Sequence, residues 1–194
     1  MMLCLVDAAH HSKDSRGERK ILLYRRDRSK VSDPKMAKLS AGLIMYRWRD
    51  GLLEVFLVHP GGPFWATRDR GAWSIPKGEY EEDEEPLQAA IREFHEETGF
   101  IADGPFCELG SVTQASGKVV TAWAFKGDCD PHKLTSNLCQ VEWPSRSGRL
   151  MEFPEVDRGN WFSIAAAREH ILKSQEPLLN RLCTALQLSE APSE

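Results

Sequence analysis

Twenty-three residues, Gly78 to Phe100 (GEYEEDEEPLQAAIREFHEETGF), restrict this chain more than any other stretch. Leu87, Ala90, Ile91 and Phe94 recur at the spacing of one apolar stripe on an α-helix, while Glu93, Glu96 and Glu97 fall at i, i+3 and i+4 on a neighbouring face. The helix must therefore pack on a core and still carry three clustered carboxylates. Pro86 suits its first turn, where a missing N–H costs nothing, and Gly99 suits the left-handed position just past its end.

The acids of the opening loop, Glu79, Glu81, Glu82, Asp83, Glu84 and Glu85, lie near the helix N-terminus, where the macrodipole favours negative charge. Glu96 and Glu97 lie at the opposite end, where it does not. Like charges three and four residues apart also repel, by roughly 0.2–0.5 kcal/mol per pair. A hard divalent cation, Mg²⁺, Mn²⁺ or Ca²⁺, takes oxygen ligands and turns that repulsion into binding. Arg92 beside the acids offers a fork of donors to neutralise or pin a carboxylate. The bland alternative is a solvated acidic helix face.

Written as a spacing, the segment is Gly78, five residues, Glu84, seven residues, then Arg92-Glu93-Phe94-His95-Glu96-Glu97-Thr98-Gly99-Phe100. It resembles the signature of the Nudix hydrolase family, G-x5-E-x7-R-E-U-x-E-E-x-G-U with U bulky and apolar, at every specified position. The resemblance implies an α/β fold, the Nudix α/β/α sandwich with a mixed β-sheet. It also implies metal-dependent hydrolysis of a nucleoside diphosphate linked to another moiety. In that reading Glu93, Glu96, Glu97 and the Gly78 carbonyl hold Mg²⁺ or Mn²⁺. Glu93 or Glu96 accepts the proton of the attacking water, and Arg92 fixes the carboxylates.

Trp73-Ser74-Ile75-Pro76-Lys77 runs directly into Gly78. A similar W-x-x-P-K-G precedes the signature in diadenosine polyphosphate and MutT-like triphosphate hydrolases of the family, whereas ADP-ribose hydrolases more often show E-x-P-A-G. A dinucleoside polyphosphate is thus the first substrate expected. Ordinary or oxidised nucleoside triphosphates come next, and ADP-ribose third. A reading of another class is a nucleotide-binding sensor without turnover. Lys77 is placed to meet a substrate phosphate, or is a solvated lysine. Phe64 and Trp65, in the Pro- and Gly-rich loop after His59, could stack on a nucleobase or cover the rim of the core. His59 itself reads as a strand-end residue.

Around the signature, the apolar runs Leu39–Trp48 and Leu53–His59 meet at Asp50-Gly51 and read as a hairpin. Phe106–Gln114 and Lys118–Phe125 read as strands joined at Ser116-Gly117, with another short strand at Gln140–Trp143. Ser145–Arg149 is a basic loop whose Arg149 is a candidate phosphate contact. Glu152 and Glu155 precede Asn160-Trp161-Phe162, which resembles the late Nudix strand where an additional acid often stands near the metal. Ile164–Lys173 and Pro177–Leu188 carry helical periodicity.

The domain is expected over 38–188, after a flexible basic extension over 1–37 and before a tail at 189–194. The extension reads as disordered, or as upstream codons ahead of an initiator Met36. Its cationic excess also fits an arm attracting phosphate or nucleic acid. A formal net charge of −4 over 194 residues gives no hint of a general polyanion binder, so a small nucleotide and not nucleic acid is the expected partner. The opening Met1–Val6 is too short for a signal-peptide core or membrane span. Five cysteines, odd in number and without a C-x-x-C pair, indicate reduced thiols and a cytoplasmic location rather than disulfides or a zinc ribbon.

Overall fold

A computed structural model describes residues 38–81 and 83–188. The basic extension and the last residues lie outside them. The described chain forms strands β1 (Leu39–Arg49), β2 (Leu52–Pro60) and β3 (Lys77–Glu79), helix α1 (Pro86–Thr98), strands β4 (Cys107–Thr113), β5 (Val119–Lys126), β6 (Leu138–Glu142), β7 (Leu150–Pro154) and β8 (Val156–Ser163), then helices α2 (Ile164–His170) and α3 (Glu176–Ala185).

The main sheet runs β4-β5-β1-β2-β8 and is mixed, because β1 and β5 are parallel while the other pairs are antiparallel. The β1–β2 hairpin turns at Asp50-Gly51, both with positive φ, the conformation a two-residue turn of matching twist requires. On its β2 side, β1 is shared. Its C-terminal half pairs with β2 through Tyr46–Arg49, and its N-terminal half pairs with β3 through Ser40–Gly42.

Alternation along the strands divides the core into two layers. Ala41, Leu43 and Met45 of β1, Phe56 and Val58 of β2, and Trp123 and Phe125 of β5 pack with Ala89, Ala90 and Phe94 of α1. Ile44, Val55, Leu57, Val120, Ala122 and Ala124 pack instead with Ala167 of α2 and Leu178, Leu179 and Leu182 of α3. The result is the expected α/β/α sandwich. One helix, α1, covers the face that carries the acids.

Two features bind the β2–β3 connection to this frame. Leu43 N donates to Pro76 O at 3.0 Å, and a Cβ on Gly42 would lie 2.6 Å from both Pro76 O and Lys77 Cβ, so only glycine lets the entry to β3 lie this close. His59 stands at the end of β2 as expected, fully buried, with Nδ1 2.9 Å from Asp157 Oδ1 and Nε2 donating to Arg68 O at 2.7 Å. Pairing of both ring nitrogens lets the imidazole stay buried and holds the loop on β8.

Among the described residues, strands β6 and β7 pair only with each other, in a separate antiparallel hairpin. Sequence reading finds β6 but not its partner, because Leu150–Pro154 has no apolar alternation strong enough to show.

Candidate functional site

Helix α1 begins and ends where its sequence dictates. Glu85 is the N-cap and accepts from Leu87 N and Gln88 N, Pro86 follows at the first helical position, and Gly99 closes the helix at φ 75° with its N–H donating to His95 O. Beyond it, Thr135 N donates to Thr98 O and Asn137 N to Glu96 O, so a returning segment satisfies carbonyls the helix end leaves open. With both ends fixed, Glu93, Glu96 and Glu97 are held beside β3.

The three acids differ sharply in environment. Glu97 is only 5% exposed and accepts Lys77 N on Oε2 at 2.8 Å. Burial pushes its carboxyl up to about 8, with Glu155 and Glu93 adding in the same direction and Lys77 opposing. Glu93 is also raised by burial, against the pull of Arg92 and helped by Glu96 and Glu155. Its carboxylate rests on the backbone of β3, since a Cβ on Gly78 would lie 1.7 Å from Glu93 Oε2. Glu96 is the most exposed of the three, though itself partly buried.

Arg92 ties the group together. Its Nε and Nη2 each donate to one oxygen of Glu84 at 3.0 Å, a two-point clasp that holds the Glu84 carboxyl below its usual range. Its Nη1 donates to Glu93 at 2.5 Å and Glu96 at 3.3 Å. Ser40 Oγ donates to Gly78 O at 2.7 Å, fixing the carbonyl that heads the signature. Sequence reading misses Ser40 entirely, because only the β1–β3 pairing brings it there.

Among the described residues no three acid, His or Cys side chains converge into a closed cage. Arg92 stands between Glu93 and Glu96 and takes up their charge. The donor set still fits a hard divalent cation. It consists of carboxylate and carbonyl oxygens, and two of its acids, Glu93 and Glu97, are pushed toward neutrality by burial and by neighbouring carboxylates, the mark of a site short of positive charge.

Of the other sequence candidates, Glu155 joins this group electrostatically, for its charge raises both Glu93 and Glu97. Glu152 instead accepts from Gln140 Nε2 on the β6–β7 hairpin. Arg149 lies at the far turn of that hairpin, away from the Pro154 end that leads to Glu155. Phe64 meets Trp143 edge-to-face at 4.8 Å, while Trp65 lies under the Arg68 guanidinium at 5.5 Å.

The family model described as NUDIX domain matches residues 36–182. No curated protein sequence matches the chain. Among solved structures, a Caenorhabditis elegans Ap4A hydrolase in a binary complex is similar with TM-score 0.53 and 22% identity, over 76% of this chain and 98% of that one. The NUDIX domain of Shewanella oneidensis NrtR, solved with ADP-ribose, is similar with TM-score 0.56 and 18% identity, over 80% of this chain and 94% of its own. At these identities the likeness speaks for the fold. The family match, by contrast, extends from just ahead of β1 into α3, and the chain therefore belongs to the Nudix hydrolases, pyrophosphohydrolases acting on phosphoric anhydride bonds.

Proposed function

We propose that the chain hydrolyses a dinucleoside polyphosphate of the diadenosine tetraphosphate type, with Mg²⁺ or Mn²⁺, in the cytoplasm. The observation that carries the site assignment is Glu97, a buried acid raised to about 8 beside Glu93 and within the field of Glu155, at the point where Lys77 enters β3. The substrate class rests on the Trp73-to-Gly78 entry, which places Lys77 next to these acids.

A phosphoric anhydride resists water because its negative oxygens repel a nucleophile. A divalent cation, when bound, would supply charge neutralisation of those oxygens and a lowered pKa for water on it. Glu93, Glu96 and Glu97, with the Gly78 carbonyl, are the residues that would hold it. Arg92 keeps Glu84, Glu93 and Glu96 in register, and Lys77 steadies charge developing on the phosphates. Glu96 or Glu93 accepts the proton of the attacking water, with Glu155 a third acceptor at the same site. Of the two additional acids expected, Glu155 is the one we retain.

Product analysis tests this reading. Incubation with diadenosine tetraphosphate is expected to give ATP plus AMP. Appearance of pyrophosphate and a monophosphate from nucleoside triphosphates at higher kcat/KM would replace it with the triphosphate reading, and preference for ADP-ribose would replace both. Arg92→Lys keeps the charge but cannot clasp Glu84 at two points, so kcat is expected to fall about tenfold or more. An unchanged kcat would remove Arg92 from the positioning scheme.

A further inference from the structure

The β6–β7 hairpin presents an apolar face that the hydrolytic chemistry leaves unused. Cys139 pairs with Phe153 and Val141 with Met151, so these four share one side of the ribbon, and Trp143 follows just past the end of β6. Part of that face is covered by the β2–β3 loop. A Cβ on Gly61 would lie 1.9 Å from Pro154 O, the nearest atoms to one on Gly62 belong to Phe153, and Phe64 reaches Trp143 at an interplanar angle of 80°. The rest is open to solvent, with Phe64 and Met151 each 41% exposed.

This aromatic corner is continuous with the acid site. Gly61 N donates to Glu155 O at 2.9 Å, and it is Glu155 whose charge reaches Glu93 and Glu97. From Gly61 to Phe64 is three residues, at most about 11 Å of chain. An edge-to-face pair leaves ring faces free for a further flat ring, and every nucleobase offers one. An aromatic pair with Phe64 exposed and Trp143 partly so, within a short loop of the acids, suits a nucleoside-bearing substrate.

We propose that Phe64 and Trp143 together form the stacking platform for a nucleobase of the substrate, with the base lying against the β6–β7 hairpin and its phosphates directed past Glu155 to α1. The platform rests on the reading that the substrate is a nucleotide. In the sequence Phe64 and Trp65 are the stacking candidates; in the fold Trp143 pairs with Phe64 while Trp65 lies by Arg68.

The test is calorimetric titration of the full-length protein in EDTA, where nothing turns over, with diadenosine tetraphosphate, ATP and inorganic tripolyphosphate. Trp143→Ala is expected to weaken both adenine ligands about tenfold or more and to leave tripolyphosphate affinity as in the wild type. Trp143→Phe should restore most of the loss and Trp143→Leu should not, since leucine packs but offers no π-face. Equal loss for tripolyphosphate, no loss for any ligand, or recovery by leucine as full as by phenylalanine overturns the platform, as does failure of the wild type to bind either adenine ligand. The hydrolytic reading is judged separately. If adenine ligands bind through Trp143 but no nucleotide is cleaved with metal present, the platform stands and the substrate assignment falls.

Discussion

Glu97→Gln is expected to lower kcat/KM by at least about a hundredfold and, in the metal-free protein at neutral pH, to raise thermal stability. Glutamine retains a carbonyl oxygen able to accept Lys77 N, so the link between α1 and β3 survives. What is lost is the negative charge that a divalent cation needs.

The sign of the stability effect follows from the raised carboxyl. An unfolded glutamate loses its proton near 4.5 and the folded one near 8. Between those values the native state binds the extra proton, so stability falls as pH rises through the window and levels off above about 8. At pH 7 the wild type carries most of that penalty, on the order of a few kcal/mol, and the glutamine variant carries none. In a domain of this size the variant should melt several degrees higher in EDTA. Saturating Mg²⁺ should reverse the order by stabilising the wild type more. Melting curves from pH 5 to 9 with and without metal decide the matter, and a variant that melts lower than wild type in EDTA at pH 7 would contradict it.

Gly78→Ala is expected to cost activity about as heavily while leaving the fold nearly untouched. The position is not among those with positive φ, so alanine fits the β3 backbone and the pairing with Ala41 remains. The added methyl would sit 1.7 Å from Glu93 Oε2 and 1.9 Å from its Cδ. The carboxylate, at the end of a flexible side chain, must swing away. Stability should change by less than about 1 kcal/mol, with kcat/KM falling by roughly ten- to a hundredfold. A double-mutant cycle makes the cause visible: in a Glu93→Ala background the glycine substitution should add no further loss. A full additional loss would show that Gly78 acts through the backbone rather than through Glu93.

The parts of the molecule that were legible in the chain are those whose determinants lie within a few residues. Pro86 and Gly99 mark both ends of α1, Asp50-Gly51 marks the β1–β2 hairpin, and the i, i+3, i+4 acids mark the charged face. The long-range arrangements were not. That Lys77–Glu79 is a strand at all depends on Ser40–Gly42, more than thirty positions earlier, and three residues carry no periodicity of their own. Unequal burial of three adjacent-face acids depends on which one β3 covers. Trp143 lay in a stretch that reads as a short strand running into a basic loop, and its neighbour Phe64 is far off in sequence.

The isolation of the β6–β7 hairpin from the main sheet bears on how this protein could diversify. Its ladder is self-contained, and at its base Glu155 N joins Asn137 O while Asn137 N joins Glu96 O on α1. Changes toward the turn need not propagate into the helix that holds the acids. The hairpin is thus a graftable cassette, in which a transplanted turn could redirect ligand choice while the catalytic half of the molecule is inherited unaltered.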